Sequence, residues 1–94
     1  MPLFVYIGRD AAGSAEKRPG ARPDHLAHIE AIQPAEGLRF AGPLFAEDGA
    51  PAGSLIVFEA DDYAAAKRIA EADPYIAAGV FERVEVFSTT QVKP

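Results

Sequence analysis

Asp73 stands directly before Pro74, and His25 follows Arg22-Pro23-Asp24 in the first half of the chain. At these two places a titratable side chain is set against a rigid proline. Together they offer a carboxylate and an imidazole. A histidine held by a carboxylate is a general acid or base working near neutral pH. Proline disfavours the α region for the residue before it, so a helix should end at Asp73. The fixed φ of Pro74 then opens a new short turn. Asp73 is thus aimed from a helix–loop junction, a geometry that equally suits a plain N-cap.

His25 lies about 40° from the centre of a Leu26/Ile29/Ile32 stripe, and His28 about 100° away, at about 100° of rotation per residue. His25 should therefore point partly inward and His28 sit at the boundary. A half-buried imidazole needs partners for both ring nitrogens. Two partners suit His25, a backbone carbonyl or the Asp73 carboxylate, and spacing does not choose between them. A metal site from His25, His28 and Asp24 is disfavoured because the two rings diverge and no HExxH pattern follows. Ser14 and Ser54 lack a GxSxG elbow. Gly13 and Gly20 lack the lysine and hydroxyl of a phosphate loop.

Leu3 to Arg9 and Ser54 to Ala60 read as strands apolar on both faces, the mark of central strands. Leu38 to Phe45 is a strand interrupted by Gly42-Pro43, which suits an edge or a bulge. Val80 to Val92 is a fourth strand, with one wet face. Asp10 to Ala21 reads as a polar loop, and Pro23 as the first turn of a helix that Pro34 breaks. Asp61 or Asp62 caps a second helix, which turns Tyr63, Ala66, Ile69 and Ala70 inward. The order β-α-β-β-α-β with right-handed crossovers is the ferredoxin-like α+β arrangement, with the first and third strands central. Two helices cover one face of a four-stranded antiparallel sheet. The other apolar face calls for burial, and a second copy of the chain would supply it.

The 94 residues make one small domain, spanning 1–94, and 49% of them are hydrophobic, which excludes disorder. A net charge of −5 with nine scattered basic residues argues against nucleic acid. The absence of cysteine removes disulfides and thiolate chemistry. No membrane span or signal peptide is legible, which fits a cytoplasmic address, and no cofactor signature is present.

Arg22-Pro23-Asp24-His25-Leu26, Ala41-Gly42-Pro43-Leu44 and Ala72-Asp73-Pro74-Tyr75, followed by Ala78-Gly79-Val80-Phe81, resemble the YCII-related (YciI-like) family over essentially the whole chain. The resemblance implies a dimeric α/β barrel of ferredoxin-like subunits, related in fold to muconolactone isomerase. It also implies a histidine–aspartate active pair, here His25 and Asp73. A few relatives act on chlorinated aromatic breakdown products, but kinship of fold does not transfer a substrate.

The expected activity is a lyase or isomerase step on a small anionic or aromatic molecule. His25 would shuttle a proton, Asp73 orient it, and Arg22 hold an anionic group. Tyr6, Gly42, Pro43, Ser54, Tyr75 and Phe81 are the expected pocket lining. The alternative is a non-catalytic ligand-binding or accessory module in which the pair is architectural.

Overall fold

The computed structural model describes residues 2–32 and 37–94. Its elements are β1 (Leu3–Asp10), α1 (Arg18–Ile32), β2 (Leu38–Phe45), β3 (Pro51–Glu59), α2 (Tyr63–Glu71), α3 (Pro74–Ala77) and β4 (Phe81–Thr89). A 3₁₀ turn over Ala15–Lys17 leads into α1. The strands form one antiparallel sheet in the order β2-β3-β1-β4. The two doubly apolar strands are its centre, as the sequence predicts.

Strand alternation gives the sheet two different faces. Phe4, Tyr6, Ile56 and Phe58 are buried with Ile29 of α1 and with Ala66 and Ala70 of α2. Small residues on α2 let that helix approach the sheet closely. Asp62 caps α2, its Oδ1 accepting from the Ala65 N–H at 2.8 Å. A second, smaller cluster of Tyr75, Val80 and Phe81 packs beneath α3.

The opposite face carries an apolar row across all four strands. Phe40 pairs with Val57, Val57 with Val5, and Val5 with Phe87. Phe40 and Phe87 at its ends are 53% and 48% exposed.

The first helix departs from expectation. Asp10 to Ala21 is not all loop, because α1 begins at Arg18 and carries Pro23 in its interior. Pro19 suits the first turn, where N–H groups lack partners anyway. The bidentate pairing of Arg18 with Asp10 at 2.8 Å anchors a start that Gly20 and Pro23 would otherwise disfavour. The buried stripe of α1 is also rotated from the expected one. It runs through His25 and Ile29 with Ile32 partly buried, while Leu26 is 38% exposed. Tyr63, expected inward, is half exposed and meets Phe4 edge-on. Strand β4 ends at Thr89, short of Val92, and β3 starts at Pro51, ahead of Ser54. The expected break at Pro34 lies outside the described residues.

Candidate active site

Asp73 closes the turn between α2 and α3 in extended conformation and is 2% exposed. Its Oδ1 accepts from the Tyr75 N–H at 2.9 Å, so it is the cap of α3. The same oxygen lies 2.8 Å from Nδ1 of His25, and Oδ2 accepts from the Tyr6 hydroxyl at 2.7 Å. Cap and dyad are therefore one side chain. Burial opposes ionisation of Asp73, but bonds from His25, the Tyr75 N–H and Tyr6 outweigh it and hold the carboxyl below its ordinary value.

An ionised carboxylate only accepts, so Nδ1 of His25 carries the proton it donates. Nε2 is then the nitrogen left for other chemistry, and it has no protein hydrogen-bond partner among the described residues. The imidazole is fixed further by aromatic packing. It lies on Tyr75 with centroids 3.9 Å apart, and Phe81 meets both rings edge-on. Gly8 makes room for that packing, since a Cβ there would fall 2.3 Å from the Phe81 ring.

His25 lines a cavity of about 180 Å³ with Arg18, Arg22, Pro43, Ser54 and Tyr75. Leu26, Ile29, Ala41, Gly42 and Ile56 complete its apolar wall. Of the expected lining, Arg22, Gly42, Pro43, Ser54 and Tyr75 are brought together here. Tyr6 and Phe81 sit one layer behind, Tyr6 being fully buried against Asp73. Burial, then the Asp73 charge and hydrogen bond, push the Tyr6 phenol far above its ordinary range, so it stays protonated and donating.

The sequence reading missed Arg18 and Asp10. Once α1 is extended upstream, a signal for Arg18 is visible: Arg18, Arg22, His25 and Ile29 follow the i, i+4, i+7, i+11 spacing of one helix face. His28, expected at the boundary, is half-buried, and its Nε2 has no hydrogen-bond partner among the described residues.

The model of the YCII-related domain matches residues 2–90. The chain belongs to the YCII-related domain family. It is 42% identical over 90 residues to Protein YciI of Escherichia coli, covering 89% of this chain and 92% of that one. A Haemophilus influenzae protein is 35% identical over 89 residues, covering 88% and 91%.

Among solved structures, 5-chloro-2-hydroxyhydroquinone dehydrochlorinase of Burkholderia phenoliruptrix, in complex with 2,5-dihydroxybenzoquinone, is similar with a TM-score of 0.80 at 26% identity. That likeness covers 94% of this chain and 93% of that one. SnoaB, a cofactor-independent oxygenase of Streptomyces nogalater, shares the fold at 18% identity with a TM-score of 0.63, covering 100% and 99%. The YCII-related chain has no helix among its described residues long and apolar enough to cross a membrane.

Proposed function

We propose that the chain is a small-molecule enzyme of lyase or isomerase type in which His25 is the proton-transfer residue and Asp73 its positioning partner. One observation carries this reading. The Nδ1 of His25 is fixed to Asp73 at 2.8 Å while the same ring lines a ligand-sized cavity. Nε2 takes a proton from an acidic C–H or O–H of the ligand, and the imidazolium so formed is balanced by Asp73. The proton then returns at another atom, which is an isomerisation. Alternatively, the electron pair of the broken bond expels a leaving group, which is an elimination. The likeness to a dehydrochlorinase at 26% identity supports the second course.

The working unit is a homodimer built on the apolar sheet face, its partner covering Phe40 and Phe87. The ligand is small and anionic or aromatic, in keeping with the basic and apolar lining of the cavity.

A second reading is favoured by burial. His25 is 6% exposed and Asp73 caps α3, so the pair would serve architecture in a ligand-binding module. Deuterium exchange into a panel of hydroxylated and chlorinated single-ring compounds, followed by NMR, separates the two. Exchange that disappears in a folded His25→Gln variant supports catalysis. Binding without exchange, or exchange unchanged in the variant, makes the pair architectural.

A further inference from the structure

Two arginines line the cavity and they are held in opposite ways. Arg22 is exposed and makes no hydrogen bond or ion pair among the described residues. Arg18 is fixed on three of its N–H groups. Its Nε donates to Oδ2 of Asp10 at 2.8 Å, and its Nη2 donates to Oδ1 of Asp10 at 2.8 Å and to the Gly53 carbonyl at 3.1 Å. The Arg18 and Asp10 side chains are only 15% and 7% exposed.

A guanidinium has five N–H donors in a rigid plane, so fixing Nε and Nη2 also fixes where Nη1 lies. No carboxylate or carbonyl among the described residues takes the Nη1 donors, and the Tyr75 side chain is a further hydrogen-bonding neighbour of the guanidinium. The guanidinium carbon lies 5.1 Å from the centroid of the Tyr75 ring, the ring that carries His25 on its face. The preorganised cation and the imidazole are thus two fixed points around one aromatic side chain.

We infer that Arg18, rather than the exposed Arg22, is the specificity-determining residue of the cavity, and that it holds the oxyanion of a single-ring aromatic carboxylate or phenolate beside His25. The inference rests on the proton-transfer reading of the same site and adds the ligand class to it. Three features fit that class. A pocket of about 150 Å³ is known to admit benzene, so about 180 Å³ suits one substituted ring and little more. Apolar walls from Leu26, Ile29, Pro43 and Ile56 suit its faces. Because Asp10 balances the charge of Arg18, recognition depends on aligned donors rather than on net charge, and it discriminates by shape and acceptor position.

The test uses the full chain and three probes: benzoate, its neutral isostere benzamide, and the chromogenic phenol 4-nitrophenol. Titration followed by backbone amide NMR should show benzoate shifting Gly42 and Ser54, with benzamide at least tenfold weaker. The visible band of 4-nitrophenol should move toward the phenolate on binding. The variant Arg18→Gln/Asp10→Asn removes the cation without stranding a buried carboxylate. It should weaken benzoate at least tenfold, leave benzamide unchanged and abolish the phenolate shift.

Arg18→Lys keeps the charge but not the fork, and it should lose benzoate as well; that variant decides the matter if the double variant does not fold. Benzoate binding unaffected by both variants, or abolished instead by Arg22→Gln, overturns the inference. So does a wild-type protein that binds neither benzoate nor 4-nitrophenol, or that binds benzamide as well as benzoate. His25-dependent proton exchange on the compound panel is read separately. Its persistence alongside any of these outcomes removes the Arg18 assignment alone.

Discussion

The imidazole of His25 lies flat on the phenol of Tyr75, their centroids 3.9 Å apart and their planes 8° from parallel. With Nδ1 tied to Asp73, the ring has neither rotation nor tilt left, so its free nitrogen addresses one direction. Tyr75→Phe should keep stability within about 1.5 kcal/mol of wild type, as volume-conserving swaps do. Tyr75→Ala should cost about 3–5 kcal/mol, the range for truncating a buried aromatic ring. Denaturant melts of the two variants measure both values.

Acid should weaken the fold through Asp73. Its carboxyl is held below the unfolded value of 3.8. A group depressed in the folded state contributes stability that is full above the unfolded value and lost as pH falls through the folded one. Asp73→Asn should therefore be less stable than wild type at neutral pH by about 1–3 kcal/mol. The difference should shrink below about pH 4. Thermal melts of both proteins across that range provide the check.

Alkali acts on Tyr6 in the opposite sense. Its folded phenol is raised far above the ordinary 10.0, by burial first and then by Asp73. The stability it supplies is present below the unfolded value and lost as pH rises beyond it. In an absorbance titration Tyr6 should ionise only as the protein unfolds. Tyr6→Phe should delete that last component and cost about 1–3 kcal/mol, because Oδ2 of Asp73 loses its donor.

Close backbone approach makes Gly53 intolerant. A Cβ at this position would lie 2.2 Å from the Gly8 carbonyl oxygen, a backbone atom that cannot swing aside. Gly53→Ala should cost at least about 1–3 kcal/mol. It should also disturb Arg18, whose Nη2 uses the Gly53 carbonyl. A melt together with benzoate titration would register both effects.

Association should follow from the row Phe40–Val57–Val5–Phe87. Light scattering at micromolar concentration should return about twice the 10.0 kDa chain mass. A Phe40→Glu/Phe87→Glu variant should run as the monomer. A wild-type monomer would remove the barrel assembly.

The strands were the most legible part of the chain. Doubly apolar Leu3-Phe4-Val5-Tyr6 and Leu55-Ile56-Val57-Phe58 announce central positions, and β2 takes the expected Leu38–Phe45 span. Asp73 was legible as an anchored carboxylate because proline acts locally, and its cap and dyad roles prove compatible.

What resisted reading was α1. Gly20 and Pro23 carry unfavourable local propensity, and the forces that override it are long-range: the Asp10–Arg18 pair and the packing of α1 on α3. That single misplacement hid Arg18. It also put Leu26, rather than His25, on the inward stripe. Tyr6 reads from the sequence as lining because alternation gives a side chain's face, not its depth.

Asp73 is bonded to one residue 48 positions away and to another 67 positions away. Neither half of the chain carries the dyad by itself, and closing such distant contacts is among the slowest parts of folding. The pair is thus a seal on the finished fold, broken by any local opening of the four-residue α3. Under rising denaturant the His25–Asp73 bond should be lost while the sheet still gives its full circular-dichroism signal.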